Sequence, residues 1–380
     1  MDRRSFLKLS GALTIVVGSG EVWRLSAQDN ERIGDKPELE PWRSWRDDLS
    51  HGPLLLVRAA ILSSNAYNSQ PWMFVVNDDQ IAIFADVNRN LGDFDPYLRE
   101  MFFSLGCALE NLELAGSVNG YGCSTELIHG TLSLIPQEAH PVLAATTKLD
   151  HAKPQRNELY DAIPHRHTNR EPFDETKPLT DSFLAELGGL TKSESQVKIF
   201  LFTDPAELQR IVELISSASG KFLADPQVRK GTLPWLRHTT EEMRKFRDGF
   251  LLDAQASRYG TLEAYAHLMR SGRVFGLIAV RDRYDRAQTI RAGQIWQRSH
   301  LLATARGVAA RPANGAIEII DHERQRGQRP ETTEALASFT HDKTWQPTFM
   351  FYMGYPTVPA EASPRRPLES VLLRSIEQKQ

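Results

Sequence analysis

Apolar and polar positions alternate along this chain in a way that marks out its elements. Leu54 to Leu62 is almost continuously apolar and predicts a buried helix, which Ser63–Ser69 breaks. Trp72–Val76 and Gln80–Ala85 alternate or run apolar on either side of Asn77-Asp78-Asp79, so a β-hairpin is expected there. After Asp95-Pro96 the apolar residues fall at three-four spacing: Leu98, Met101/Phe102, Leu105, Ala108/Leu109, Leu112 and Ala115. Gly106 inside this helical run leaves room for another helix to approach, and Asn119-Gly120 closes the run. Strands are expected over Leu132–Ile135 and Val142–Leu149.

A similar order returns further on. Phe183–Leu190 reads as a helix and Val197–Phe202 as a strand. Asp204-Pro205 then opens a helix carrying Leu208, Ile211, Val212 and Ile215. Ala292–Gly307 is a second long helix, in which Leu301-Leu302-Ala303 before Gly307 parallels Leu112-Glu113-Leu114-Ala115 before Gly120. Phe349–Met353 is a strand ended by Gly354-Tyr355-Pro356. Helix, strand, Asp-Pro and helix therefore occur twice, which predicts an α+β fold built from a duplicated helix-and-antiparallel-sheet unit. Half one spans 51–153, and half two spans 154–374 with an insertion at 225–285 rich in Arg, Lys, Trp and Tyr. Residues 28–50 read as a linker or arm, pinned to the body by Trp42 and Trp45.

Composition narrows the possible partners. The 380 residues are 41% hydrophobic and 24% charged, as in a folded soluble protein. A net charge of −3 offers no basic field for nucleic acid, so any phosphate site has to be local. Cys107 sits in an apolar helical run and reads as buried packing rather than as half of a bridge to Cys123. His165 and His167 lack a carboxylate or cysteine at useful spacing, so no metal is expected. At the start, Asp2-Arg3-Arg4-Ser5-Phe6-Leu7-Lys8 precedes a short, moderately apolar stretch over 9–18. Residues 1–27 resemble a twin-arginine export signal. The expected partner is then the twin-arginine machinery and the expected location periplasmic. Cleavage after Ala27 is one outcome; Leu25 is bulky for such a site, so an uncleaved membrane tether is the other.

Two segments carry candidate chemistry. Asn65, Asn68 and Gln70, before Pro71-Trp72, put amide donors and acceptors into one restricted turn. Arg166-His167-Thr168-Asn169-Arg170 packs two guanidinium groups, an imidazole and a hydroxyl into five residues. Arg365-Arg366, held between Pro364 and Pro367, is a second basic pair. Guanidinium forks match phosphate oxygens, and amides match the edge of a flat heteroaromatic ring. Together they suit flavin mononucleotide (FMN). Each has a plainer reading on its own: a solvated charge run for the arginines, turn chemistry for Asn68 and Gln70.

The combination Asn68-x-Gln70-Pro71-Trp72 with Arg-His-Thr-x-Arg resembles the nitroreductase-like FMN flavoproteins, whose pattern is Ser-Ser-x-Asn-x-Gln-Pro-Trp with Arg-Arg/His-Ser-x-Arg. Asn65-Ala66-Tyr67 replaces the first part of that pattern, and the two motifs stand in reversed order, far apart in the chain. This arrangement is similar to the long, fused Acg-type branch. The resemblance implies FMN as cofactor, with Asn65, Asn68 and Gln70 at the ring and Arg166, His167, Thr168, Arg170, Arg365 and Arg366 at the phosphate end. It also implies a backbone N–H near the ring from the region of Pro312 and Ala313. The activity implied is hydride transfer from NAD(P)H or another donor, through the flavin, to a nitroaromatic or quinone-type acceptor. No side chain stands out as an acid or base. A flavin-binding or storage protein with little turnover is the alternative, and the internal duplication leaves monomer and dimer both open.

Overall fold

Two long helices, each carrying a glycine at its middle, organise the computed structural model of this chain. The structure describes residues 36–46, 52–136, 140–251 and 262–373, all within one unit, Asp35–Gln380. The signal-like segment at 1–27 and most of the arm at 28–50 lie outside the described residues. The part of the arm that is described holds the short helix α1 (Glu40–Ser44). Trp42 and Trp45 are both buried, and the Trp42 indole N–H donates to the Ser363 carbonyl at 2.7 Å.

Half one runs α2 (Leu54–Ala60), β1 (Trp72–Val76), β2 (Gln80–Ala85), α3 (Arg99–Val118), β3 (Tyr121–Leu127) and β4 (Val142–His151). Its antiparallel sheet has the order β1-β2-β4-β3. The helix α4 (Glu158–Ala162) leads into half two, which runs α5 (Asp181–Gly189), β5 (Val197–Phe202) and α6 (Pro205–Ala224). Next come α7 (Pro226–Thr232), β6 (Leu236–Arg237), α8 (Thr240–Phe246), β7 (Phe250–Leu251) and α9 (Leu262–Arg270). The half closes with β8 (Val274–Val280), α10 (Arg286–Ala305), β9 (Ala309–Pro312), α11 (Gly315–Gln325), α12 (Glu331–Thr340) and β10 (Gln346–Gly354). Its antiparallel sheet has the order β5-β8-β10-β9. Both sheets therefore follow one plan: first, second, fourth and third strand, with a 20-residue helix between the second and the third. The fold is α+β and duplicated.

Three expectations need correction. The insertion does not run to 285, because β8 is a central strand of the second sheet and all seven of its residues are buried. Val-Phe-Gly-Leu-Ile-Ala-Val shows no alternation because both faces of this sheet are covered. One face packs on Trp296, Ile295 and Phe103, the other on Ile211, Ile215, Ile317 and Leu336. For the same reason the helix after Asp204-Pro205 is not the counterpart of α3. That counterpart is α10, whose N-cap is Asp285. Finally, residues 132–135 form no strand, and β4 pairs with β2 and β3. Thr131 only bridges Asp285. Cys107 and Cys123 are both free, as packing predicted.

The helices α3 and α10 meet backbone to backbone. A Cβ on Gly106 would lie 1.9 Å from the Ile290 carbonyl oxygen, and one on Gly293 would lie 2.0 Å from that of Phe103. Further along the same crossing, Arg298 pairs with Glu110 (2.7 and 2.9 Å) and the Gln297 amide donates to Asn111 (2.8 Å). Gly106→Ala is expected to cost about 3 kcal/mol or more, since backbone cannot yield as a flexible side chain can. Gly189→Ala, which meets nothing within 4 Å at the end of α5, should change stability by less than about 1 kcal/mol. Urea unfolding of the two variants checks this, and equal effects would refute the account of the crossing.

Candidate functional site

The α3–α10 crossing leaves a cavity of about 290 Å³ between the halves. Its floor is aromatic. Phe103 stacks on Phe349 with centroids 4.4 Å apart, and Trp296 lies 4.8 Å from Phe349. Pro312 at the end of β9 also lines it.

At one end, two segments converge on a cluster of cations. Arg166, His167, Thr168 and Arg170 come from the strap after α4, and Arg365 comes from the tail. Arg166 is 2% exposed and Arg365 3%. Arg166 donates to the Leu62 carbonyl at 3.2 Å and lies 3.4 Å from His300 Nδ1. Arg365 donates to Asn68 Oδ1 at 2.8 Å, to the Pro364 carbonyl at 2.9 Å and to the Ser63 carbonyl at 3.1 Å. Neither guanidinium reaches a carboxylate among the described residues, and the Nε of each has no partner. Burial pushes Arg166 down to about 10. Burial, and then Arg166 itself, pushes Arg365 well down. Burial and the same arginine push His300 well below its ordinary range, so its imidazole is neutral. Two buried positive charges held only by neutral groups are short of an anion.

The amide turn does a different job from the one its sequence suggests. Tyr67, Asn68 and Gln70 all have left-handed backbone, with φ near +50°. For residues other than glycine this costs about 1–3 kcal/mol each and persists only where the surroundings enforce it. Here the side-chain amides enforce it. Asn65 Oδ1 accepts from the Gln70 N–H at 2.9 Å. Asn68 Nδ2 donates to the Pro364 and Gly249 carbonyls at 3.0 and 3.2 Å. Gln70 Nε2 donates to the Arg247 carbonyl, and its Oε1 accepts from the Arg366 N–H, both at 2.8 Å. The turn thus staples residues 247–249 and the tail over the cavity.

Of the residues singled out from sequence, Asn65, Asn68, Arg166, His167, Thr168, Arg170, Pro312 and Arg365 line the cavity. Gln70, Ala313 and Arg366 do not, which corrects their assignment. Gln70 is fully buried and its amide is committed to the protein. Ala313 packs in the core, and its N–H donates to the Met350 carbonyl, so it is not free for a ligand. Arg366 turns away, donating to the Gln70 and Ser370 carbonyls at 3.1 and 2.6 Å.

Sequence reasoning missed another part of the cavity wall. Tyr67, Phe94 and Phe250 form an aromatic wall there, with centroids 4.6 and 5.3 Å from Tyr67. Beside it stand Asn314, Glu100 and Glu318. Glu100 was hidden inside α3, and Glu318 lies on a helix that the apolar pattern did not reveal. The signal was there in part, because both acids fall among apolar neighbours. Behind them, Asp95 accepts from the backbone N–H groups of Glu100 and Met101, each at 3.0 Å.

No family model matches the chain, and no curated protein matches it. Among solved structures, it is similar to the FMN-dependent nitroreductase NfnB from Mycobacterium smegmatis in complex with NADPH, at 12% identity over 57% of this chain and 98% of that one, with a TM-score of 0.40. A nitroreductase with bound FMN from Desulfitobacterium hafniense matches at 11% identity over 58% and 99%, TM-score 0.37. A nitroreductase-like family protein from Bacillus cereus matches at 13% over 60% and 100%, TM-score 0.35.

Two outcomes follow from this geometry. Gln70→Leu strands the Arg247 carbonyl and the Arg366 N–H, at about 1–3 kcal/mol for each. Trypsin should then cut faster after Arg247, and an unchanged cleavage rate would show that the staple is unimportant. Burial also raises Asp95 from 3.8 to about 7. Its folded state therefore holds the proton more tightly than the unfolded one, and that stabilisation is full below pH 3.8 and lost as pH rises through 7. The melting temperature of the wild type relative to Asp95→Asn should fall between pH 4 and 8, and a rise would contradict the sign.

Proposed function

We propose that this chain binds FMN in the cavity and is a flavin-dependent oxidoreductase. The observation that supports this most directly is the pair of buried guanidiniums, Arg166 and Arg365, with no carboxylate among the described residues and with orphaned Nε donors. An FMN phosphate brings about −1.5 to −2 charges and three acceptor oxygens, which is what those donors lack. Thr168 and Arg170 border the same end. The aromatic floor of Phe103, Trp296 and Phe349 suits a flat ring system and excludes water from it.

When bound, the flavin supplies reversible hydride transfer. The protein holds its phosphate with Arg166 and Arg365, and it closes the cavity with the segment that Asn68 and Gln70 hold in place. The neutral imidazole of His300 keeps Arg166 aligned without adding a charge. A reduced nicotinamide nucleotide as donor and a nitroaromatic or quinone as acceptor complete the reading. Export through the twin-arginine route, which carries folded and loaded proteins, accords with the sequence of residues 1–27.

The full-length protein should purify yellow and should prefer FMN to riboflavin, which lacks the phosphate. Charge-assisted hydrogen bonds contribute about 1.5–3 kcal/mol each, so Arg166→Met should cut FMN affinity by about 10- to 150-fold. It should leave riboflavin binding nearly unchanged. Fluorescence titration of the flavin measures both. A colourless wild type that ignores added FMN, or one that binds riboflavin as tightly, would overturn the proposal.

A further inference from the structure

The acidic end of the cavity has too few cations. Four buried carboxyl groups, Asp95, Glu100, Glu318 and Asp321, outnumber three buried guanidiniums: Arg311 on the cavity wall, and Arg99 and Arg283. Asp321 takes most of what the last two offer: Arg99 Nε at 2.7 Å and Arg283 Nη2 at 2.8 Å, with the Tyr284 hydroxyl at 2.9 Å. Arg99 also pairs with Glu100 at 2.9 Å and donates to the Thr348 carbonyl. Arg283 also donates to the Pro347 and Ile317 carbonyls through Nη1 and Nη2. Asp95 has its two backbone N–H groups.

That leaves Glu318. It is 3% exposed, it borders the cavity, and its carboxyl takes no side-chain hydrogen bond or ion pair among the described residues. Its neighbour Glu100 is engaged, accepting from Arg99 and from Asn314 Nδ2 at 3.2 Å. The other titratable groups near this end are Tyr67 and Tyr265 on the aromatic side and Arg311 on β9. A buried carboxylate that no side chain pairs, beside a second carboxylate, is costly. Taking up a proton removes that cost and leaves an O–H on the cavity wall.

We propose that Glu318, backed by Glu100, is a carboxylic acid that delivers a proton to an oxygen or nitrogen atom of the electron acceptor bound in the cavity. This rests on the oxidoreductase reading above. An acceptor such as a quinone gains two electrons and one hydrogen as hydride from the reduced cofactor, and then needs one proton. The Glu318 O–H bond breaks, an O–H or N–H bond forms on the product, and water entering the cavity reprotonates the carboxylate. Burial first, and the negative Glu100 next, push Glu318 well above the usual carboxylate range, in keeping with a proton held at neutral pH. The aromatic wall of Tyr67, Phe94 and Phe250 marks where a flat acceptor fits.

Infrared spectroscopy of the flavin-free protein tests this separately from flavin binding. At pH 7 the wild type should show the carbonyl stretch of a protonated carboxyl group, shifted in D2O and retained in Asp95→Asn, which removes the band of the other carboxyl that holds a proton near that pH. Glu318→Gln should remove it, and Glu318→Met serves if the amide variant does not fold. The FMN-loaded Glu318→Gln protein should keep its preference for FMN over riboflavin, which is set at the other end. Its reoxidation by a quinone should slow by about 10²- to 10⁴-fold. Absence of the band in the wild type, its persistence in the variant, or reoxidation at the wild-type rate would each overturn the proposal. If the wild type shows the band but binds no flavin, the oxidoreductase reading is the part that fails.

Discussion

The contact between Gly106 and Gly293 is the constraint on which the rest of this molecule depends. It brings the backbones of two 20-residue helices together where no side chain would fit. Each helix belongs to one copy of the same plan, so the crossing fixes the two copies against each other. It also decides where they cannot touch. Around the crossing the larger side chains of α3 and α10, among them Phe103, Cys107 and Trp296, hold the helices' neighbours apart and border the cavity. Polar pairs on the same crossing, Glu110 with Arg298 and Asn111 with Gln297, set the register of the helices as well as their distance.

The cavity is electrically lopsided. One end gathers buried guanidiniums without carboxylates, and the other gathers buried carboxyls without enough guanidiniums. In a low-dielectric interior each imbalance has to be met locally, by an anion at one end and by protons at the other. A ligand with an anionic tail and an uncharged flat head fits such a space in only one direction.

The segment between β5 and β8 shows how a duplicated plan departs from symmetry. In half one the first two strands form a tight hairpin. In half two the chain leaves after β5, builds α6 to α9, and only then returns as β8. Part of this excursion covers the outer face of the second sheet. Another part reaches across to the other half, where Arg247 and Gly249 meet the strained turn at Asn68–Gln70. Asp248 bridges Arg89 and Arg237 alongside it. The strain of three left-handed residues is thus held by contacts made between distant parts of the chain.

The sequence by itself determined a helix beginning at Leu54, a long helix after Asp95-Pro96, the hairpin at 72–85 and a helix start at Asp204-Pro205, because these follow from local periodicity and local turn chemistry. It also marked Arg166, Thr168, Arg170 and Arg365, since clustered guanidiniums are visible without a fold. Strand β8 was not legible as a core strand: burial on both faces erases the alternation that identifies a strand. Only the tertiary structure separated Asn68, on the cavity, from Gln70, committed to the protein, because an amide looks the same in either role until its partners are known. Only the tertiary structure, too, brought Glu100 and Glu318 together, from helices far apart in the chain. Periodicity reports which side of a helix is buried, but what a buried acid faces depends on the other half of the fold.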